Sequence, residues 1–213
     1  MSYLTPPSKL KYLGSQIITA TGTYTPTAGT KFIRVWLKGG GGGGGAGQNG
    51  IDGVNGGTSS FGAYMTATGG GKGYGEVDGA NDQWRGDPAG IGVGGDINLA
   101  GSNGDPSNFG NGTLSEGARG GGGSDGAPRG TNATNSPATS SAGQGGGSGI
   151  GNNDRQSGSG GSEGGTAIKT FDINDITATV AVTIGAGGAG GNGSGTVDGA
   201  AGFRGECVIE EWG

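Results

Sequence analysis

The fold is decided by a stretch that reads Lys31-Phe32-Ile33-Arg34-Val35-Trp36-Leu37-Lys38 and runs directly into seven consecutive glycines, Gly39 to Gly45. In its first part, Ile33, Val35 and Leu37 alternate with larger or charged residues, which predicts a half-buried strand. At Gly39 the side chains stop. From there the chain enters either a disordered segment or a structure built from backbone alone.

Glycine dominates the composition. It accounts for 60 of the 213 residues, while hydrophobic residues make up only 29%. Such a composition on its own favours disorder, because little apolar area is available to offset chain entropy. The formal net charge of −5 argues against a nucleic-acid partner, since no basic surface is offered to phosphates.

Strand-like patterns are concentrated at the two ends of the chain. They predict an antiparallel β-sandwich with an inserted glycine-rich middle and essentially no α-helix, apart from a single turn at Ile173–Ile176. On this prediction Cys207 is a small buried residue in the last strand. The six predicted strands are Ser15–Tyr24, Lys31–Lys38, Thr58–Thr68, Thr166–Ile173, Thr177–Ile184 and Phe203–Trp212.

Glycine also recurs at every third position, in six short registers. Three residues is the period of the polyproline-II helix, which has no internal hydrogen bonds and needs partners from neighbouring chains. Collagen is excluded, because the registers break after three or four triplets and proline totals only 7. The pattern predicts a bundle of short glycine-rich helices from one chain. The registers are Gly50/53/56, Gly117/120/123/126, Gly143/146/149, Gly158/161/164, Gly185/188/191 and Gly199/202/205.

The order of these parts resembles the glycine-rich domain of bacteriophage tail-fibre and tail-tip proteins. The likeness rests on Thr21–Gly29, on Phe32–Lys38 running into Gly39–Gly45, on Gly56–Gly70, and on Val182–Gly188 with the closing strand. It covers roughly residues 15 to 213. The resemblance implies an all-β fold in which an antiparallel jelly-roll-like β-sandwich carries an inserted polyglycine-II helix bundle. It also implies that distal loops bind a host outer-membrane protein or surface glycan.

The resemblance suggests a division of the chain and a location. Residues 15–68 and 166–213 are expected to form the sandwich and residues 69–165 the bundle with its receptor-facing loops. Residues 1–14 are expected to dock onto other tail proteins, the alternative being a frayed terminus. The location that the resemblance implies is the virion, at the tail-fibre tip; because residues 1–14 lack an apolar signal region, the protein is expected to be made in the host cytoplasm without a signal peptide. A homotrimer is expected, with a single adhesin on a trimeric fibre as the alternative.

Four polar loops between the glycine registers supply the candidate receptor-binding residues: Glu76–Gly90, Asp96–Glu116, Pro128–Ala142 and Asn152–Gln156. Tryptophan beside arginine is typical of binding hot spots, and asparagine- and serine-rich loops form adaptable surfaces. The alternatives are that Trp84 plugs the bundle and that the loops, including Pro128–Ala142, are solvated connections. The candidate residues are Asp82, Trp84, Arg85, Asp87, Asn108, Phe109, Asn111, Asn153 and Arg155.

Catalysis has little support in the sequence. The chain has no histidine, so a Ser–His–Asp or Cys–His arrangement is impossible, and no metal-ligand spacing is present. We therefore expect no enzyme activity, no cofactor and no metal. Two other functions stay open: a structural tail spacer that binds no receptor, and an ice-binding protein, which would require a flat, regular face.

Overall fold

The computed structural model describes residues 10–47, 50–75, 85–107, 120–121, 142–149, 157–193 and 198–213. In this part of the chain the all-β prediction is confirmed: there are strands, a single 3-10 turn and no α-helix. No helix among these residues is long and apolar enough to cross a membrane. The strands are β1 (Tyr12–Ile18), β2 (Gly22–Tyr24), β3 (Phe32–Lys38), β4 (Ser59–Phe61), β5 (Met65–Ala67), β6 (Gly92–Val93), β7 (Ile97–Leu99), β8 (Thr166–Asp172), β9 (Val180–Thr183) and β10 (Glu206–Trp212).

The strands form two five-stranded antiparallel sheets. Sheet A has the order β1-β10-β3-β8-β7, and sheet B has the order β2-β9-β4-β5-β6. Strands from the two ends of the chain therefore lie side by side, since β10 pairs with both β1 and β3.

A hydrophobic core lies between the two sheets. Ile33, Val35 and Leu37 are fully buried, as their alternation in β3 predicts. Phe61 packs against them from sheet B, with its ring centroid 5.8 Å from that of Phe171. Burying side chains of this size contributes about 1.5–3 kcal/mol each, so a few large apolar residues suffice where most of the chain has none.

A buried carboxylate closes one end of this core. Glu211 is only 2% exposed. One of its oxygens, Oε1, accepts hydrogen bonds from the Tyr24 hydroxyl at 2.8 Å and from the Thr27 amide at 3.0 Å. Oε2 accepts one from the Thr27 hydroxyl at 2.6 Å. The carboxylate thus fastens the connection between β2 and β3 to β10.

The prediction of one strand over Ser15–Tyr24 is wrong. β1 ends at Ile18 in sheet A, and β2 begins at Gly22 in sheet B. The chain changes sheets at residues 19–21, inside a β-branched run that carries no turn signal. Corners between packed sheets are set by tertiary packing, which the local pattern does not report.

The predicted strand over Thr58–Thr68 is a hairpin. Its turn spans residues 62–64, where Gly62 has a φ of +53°. Phe61 and Met65 are buried, whereas Ala63 lies exposed in the turn, so the three residues do not share one face as they would in a single strand. The predicted single turn near Ile173 is confirmed as a 3-10 turn over Ile173–Asp175.

Extended glycine-rich segments, here called the glycine bundle, continue from the ends of the strands. None of them is a strand in a sheet, and their backbone groups bond to one another. The described segments are 39–46, 50–57, 68–75, 87–90, 101–105, 120–121, 142–149, 157–165, 185–193 and 199–205.

Segment 39–46 lies among six other segments. Its N–H groups donate in rotation to three antiparallel neighbours, and its carbonyls accept from three parallel neighbours. The rotation repeats every third residue. The donated bonds run from Gly39 to Gly165 (3.0 Å), Gly40 to Gly57 (2.9 Å), Gly41 to Phe203 (2.8 Å), Gly42 to Ser162 (2.9 Å), Gly43 to Val54 (2.9 Å) and Gly44 to Ala200 (3.0 Å).

Segment 157–165 has the same surroundings. Its N–H groups donate in rotation to segments 142–149, 68–75 and 101–105, again with a period of three. Its carbonyls accept from segments 39–46, 87–90 and 120–121. Two neighbouring segments are therefore enclosed on all sides by backbone.

Glycine is required at positions 39–45 because the neighbouring segments leave no room there for a side chain. A Cβ on any residue from Gly39 to Gly45 would lie closer than 3.0 Å to backbone of another segment. The predicted triplets face inward for the same reason: a Cβ on Gly53 or Gly56 would meet segment 39–46. Of the register Gly117–Gly126, only Gly120 lies within the described residues.

The sandwich and the bundle alternate along the chain instead of separating at residues 68 and 166. Strands β6 and β7 lie within the predicted bundle range 69–165. Conversely, segments 39–46, 50–57, 185–193 and 199–205 lie within the predicted sandwich ranges. The cause is that a bundle segment continues directly from a strand, as 39–46 does from β3. β1 also begins at Tyr12, inside the predicted arm 1–14.

Candidate functional site

The end of the glycine bundle away from the sheets, here called the far end, is where the chain most often leaves and re-enters the described structure. Gly149 donates to Gly45 at 2.9 Å and Ser159 donates to Tyr74 at 2.9 Å, which places these segment ends side by side. The far end therefore brings together positions that are distant in the sequence. The chain leaves and returns there between residues 47 and 50, 75 and 85, 149 and 157, and 193 and 198, and it also leaves there at residue 107.

Polar side chains tie neighbouring segments together close to this end. Lys72 Nζ lies 2.7 Å from Asp52 Oδ2, and the Gly75 amide donates to Asp52 Oδ1 at 2.9 Å. The Tyr74 hydroxyl donates to Asp87 Oδ1 at 2.5 Å. These bonds raise the pKa of the Lys72 ammonium, through Asp52, and the pKa of the Tyr74 phenol, through Asp87. The contacts hold three segments in register.

Two of the predicted site residues lie in the described part of the chain. Arg85 is exposed beside the bundle. Asp87 is half-buried, and its carboxylate accepts the Tyr74 hydrogen bond, so it holds the bundle together at this position. The other candidates lie outside the described residues: Asp82, Trp84, Asn108, Phe109, Asn111, Asn153 and Arg155.

Two of the predicted loops are placed differently from the expectation. The range Asp96–Glu116 begins in the sandwich, because residues 97–99 form β7, and only then enters the bundle as segment 101–105. The range Pro128–Ala142 rejoins the structure at the sheet end, where the Gly143 amide donates to Arg204 at 2.8 Å. The first range therefore reaches the far end only after β7, and the second range ends at the sheet end of the bundle.

The described residues offer little reactive chemistry. Among them, no group of three or more His, Cys, Asp or Glu residues is placed to hold a metal ion. Cys207 is fully buried as predicted. Burial, with a smaller effect from Glu206, raises the pKa of its thiol to about 12, so the reactive thiolate is scarce at neutral pH.

The sequence pattern did not predict a buried ion pair between the sandwich and the bundle. Lys38 Nζ lies 3.3 Å from Glu163 Oε1, with the two side chains 8% and 0% exposed. Glu163 Oε2 also accepts the Ser102 amide at 3.0 Å. Alternation placed Lys38 on the outward side of β3, but nothing local indicates that segment 157–165 covers it.

A second feature that was not predicted is an apolar row across the outer face of sheet A, the side turned away from the core. Trp36, which is 40% exposed, pairs with Val208 on one side and Ile168 on the other. A hollow of about 250 Å³ beside Trp36 is also lined by Leu99. A second hollow, of about 390 Å³, is lined by Phe32 and Trp212. The signal for this row in the sequence was Trp36, a large apolar residue on the outward side of β3. The whole row is Ile17, Val208, Trp36, Ile168 and Ile97, one residue from each strand of sheet A.

Comparison with known proteins gives no relative for this chain: no family model, no curated protein and no solved structure matches it.

Proposed function

We propose that this protein is a receptor-binding protein at the tip of a bacteriophage tail fibre. The observation that carries the proposal is the far end, where four separate connections begin and finish side by side on a backbone-bonded support and a fifth begins. A rigid support that displays several loops at one end is the usual architecture for recognising a surface. The bound partner on this proposal is a host outer-membrane protein or surface glycan.

The proposal includes a finer description of the fold. The rotation of hydrogen bonds every third residue and the six neighbours of segment 39–46 support a polyglycine-II bundle. If β6 and β7 are set aside, the sheet orders become β1-β10-β3-β8 and β2-β9-β4-β5. This interleaving supports a jelly-roll topology.

The remaining roles follow from the same proposal. Residues 76–84, 108–119 and 150–156, which include Trp84 and Phe109, supply the contacts to the host surface. The sandwich faces the virion, and residues 1–14 attach the protein to other tail components. Recognition by this route needs neither catalysis nor a cofactor.

Loop replacement tests the proposal. Phage that carry Gly/Ser sequences of equal length in place of residues 76–84 or 108–119 are expected to lose at least tenfold in adsorption rate on susceptible cells. A matched replacement of residues 128–140, which rejoin the structure at the sheet end, serves as the control. Unchanged adsorption after both far-end replacements, with folded protein present on the particles, would refute the proposal.

A second function, a structural spacer without receptor affinity, is favoured by a different observation. Two charged side chains near the far end form bonds inside the bundle: Lys72 pairs with Asp52, and Asp87 accepts a hydrogen bond from Tyr74. A spacer requires only such internal contacts. Purified protein binds susceptible cells under the first function and does not bind them under the second.

A further inference from the structure

The outer face of sheet A is apolar at its centre, although it is exposed in a single chain. Its central row crosses all five strands, and Ile17, Trp36 and Ile97 are 64%, 40% and 47% exposed. A contiguous apolar patch of this kind marks an interaction surface more often than chance exposure does. We propose that this face binds the same face of a second copy of the chain, around a two-fold axis parallel to the strands between β10 and β3.

The register of the sheet makes this face self-complementary in charge. Arg34 in β3 and Glu210 in β10 are direct cross-strand partners, so they lie at the same height on neighbouring strands. A two-fold axis running between these strands exchanges them across the interface. Arg34 of one chain then faces Glu210 of the other, and the contact occurs twice.

Apolar residues are matched by the same operation. Trp36 of one chain faces Val208 of the other, and Phe32 faces Trp212, because these are also cross-strand pairs. One strand further out, Ile168 of β8 faces Ile17 of β1. In the row of Trp36 every side chain faces another apolar side chain, which favours an isologous interface, while in the row of Phe32 the outer pair is Asp172 and Tyr12.

The area is sufficient for a reversible pair. Four facing strands (β1, β10, β3 and β8), about 4.8 Å apart and seven residues long at about 3.3 Å each, give a face of about 440 Å² per copy, while β7 lies outside the overlap. Two copies bury about 900 Å², which is in the range of weak, transient contacts and below the standard size. The hollows beside Trp36 and Trp212 provide space for side chains of the second copy.

Charge reversal in two different chains tests the contact between copies. We expect the full chain to show a two-chain mass by light scattering at high concentration and to dissociate on dilution. Arg34→Glu alone and Glu210→Arg alone each place like charges opposite one another, so each is expected to weaken pairing at least tenfold. Mixed in equal amounts, the two variants regain both opposite-charge contacts, and a two-chain species with one copy of each is expected.

The controls separate this pairing from misfolding and from a general effect of changed net charge. Arg85→Glu reverses a charge on the bundle and is expected to leave pairing unchanged. Circular dichroism establishes that each variant is folded.

A one-chain or three-chain mass at all concentrations, or failure of the mixed variants to pair, overturns the proposal. A monomeric full chain that dimerises only after deletion of residues 1–9 also overturns it, because that segment then covers the face. Pairing does not depend on receptor binding, so either proposal can fail without the other.

Discussion

Gly42 has no room for a single added methyl group. A Cβ there would lie closer than 3.0 Å to the carbonyl carbon and oxygen of Gly71, and backbone in an enclosed segment cannot move aside as a flexible side chain can. The conformational entropy that glycine loses on folding is therefore offset by close backbone packing that no other residue permits.

Gly42→Ala is accordingly expected to destabilise the protein by about 3 kcal/mol, because the new atom forces segment 39–46 away from the backbone of segment 68–75. Urea denaturation followed by circular dichroism gives the free energy of unfolding. Gly22→Ala is the matched control, since its Cβ would meet only the Ala20 carbonyl oxygen at 3.8 Å. Equal stability of the two variants would contradict the backbone packing.

At the level of elements, the connection between β2 and β3 depends on the protonation of Glu211. Burial raises the pKa of its carboxyl group, but hydrogen bonds from Thr27, Tyr24 and Gln16 outweigh burial and hold the pKa below its usual value. A group with a lowered folded-state pKa stabilises the fold above its unfolded pKa of about 4.3. That contribution is lost as the pH falls through the lower folded-state pKa.

Tyr24→Phe removes one of these donors, so it is expected to cost about 1–3 kcal/mol at pH 7 and progressively less towards pH 3. Urea denaturation across this pH range measures the difference. Tyr64→Phe is the control, because the Tyr64 hydroxyl accepts a bond from the Thr177 amide at 3.0 Å and is hydrogen-bonded to no carboxylate within the described part of the chain. A Tyr24→Phe cost that stays constant with pH would show that Glu211 is not the group involved.

The elements also show what the sequence can and cannot predict. Alternation in β3 correctly predicted the burial of Ile33, Val35 and Leu37, and the triplet glycines Gly53 and Gly56 lie where a Cβ would meet segment 39–46. Both signals are local. The sheet change at residues 19–21 and the covering of Lys38 by segment 157–165 depend on contacts between distant residues. For the far end, the sequence identified polar loops, while the topology determines which of them share that end.

For the molecule as a whole, Lys38 and Glu163 join the sandwich to the bundle. Lys38→Met removes the ammonium from a carboxylate that is fully buried, so we expect a loss of about 3–5 kcal/mol. Lys72→Met is the control, because the Lys72–Asp52 pair is 30% and 37% exposed and such pairs contribute about 1 kcal/mol or less. Differential scanning calorimetry should show one transition in the wild type. Two separate transitions would mean that sandwich and bundle unfold independently.

The rotation of hydrogen bonds around segment 39–46 imposes a three-residue repeat on the glycine bundle. Each N–H points to the same neighbour only after three residues, so one extra residue redirects every later amide towards the wrong segment. Three extra residues restore the directions and lengthen that segment by one repeat. Segments can therefore change length only in whole triplets, and neighbouring segments must change together. The connections at the far end carry no such restriction, so their length and sequence can diverge while the support beneath them stays the same.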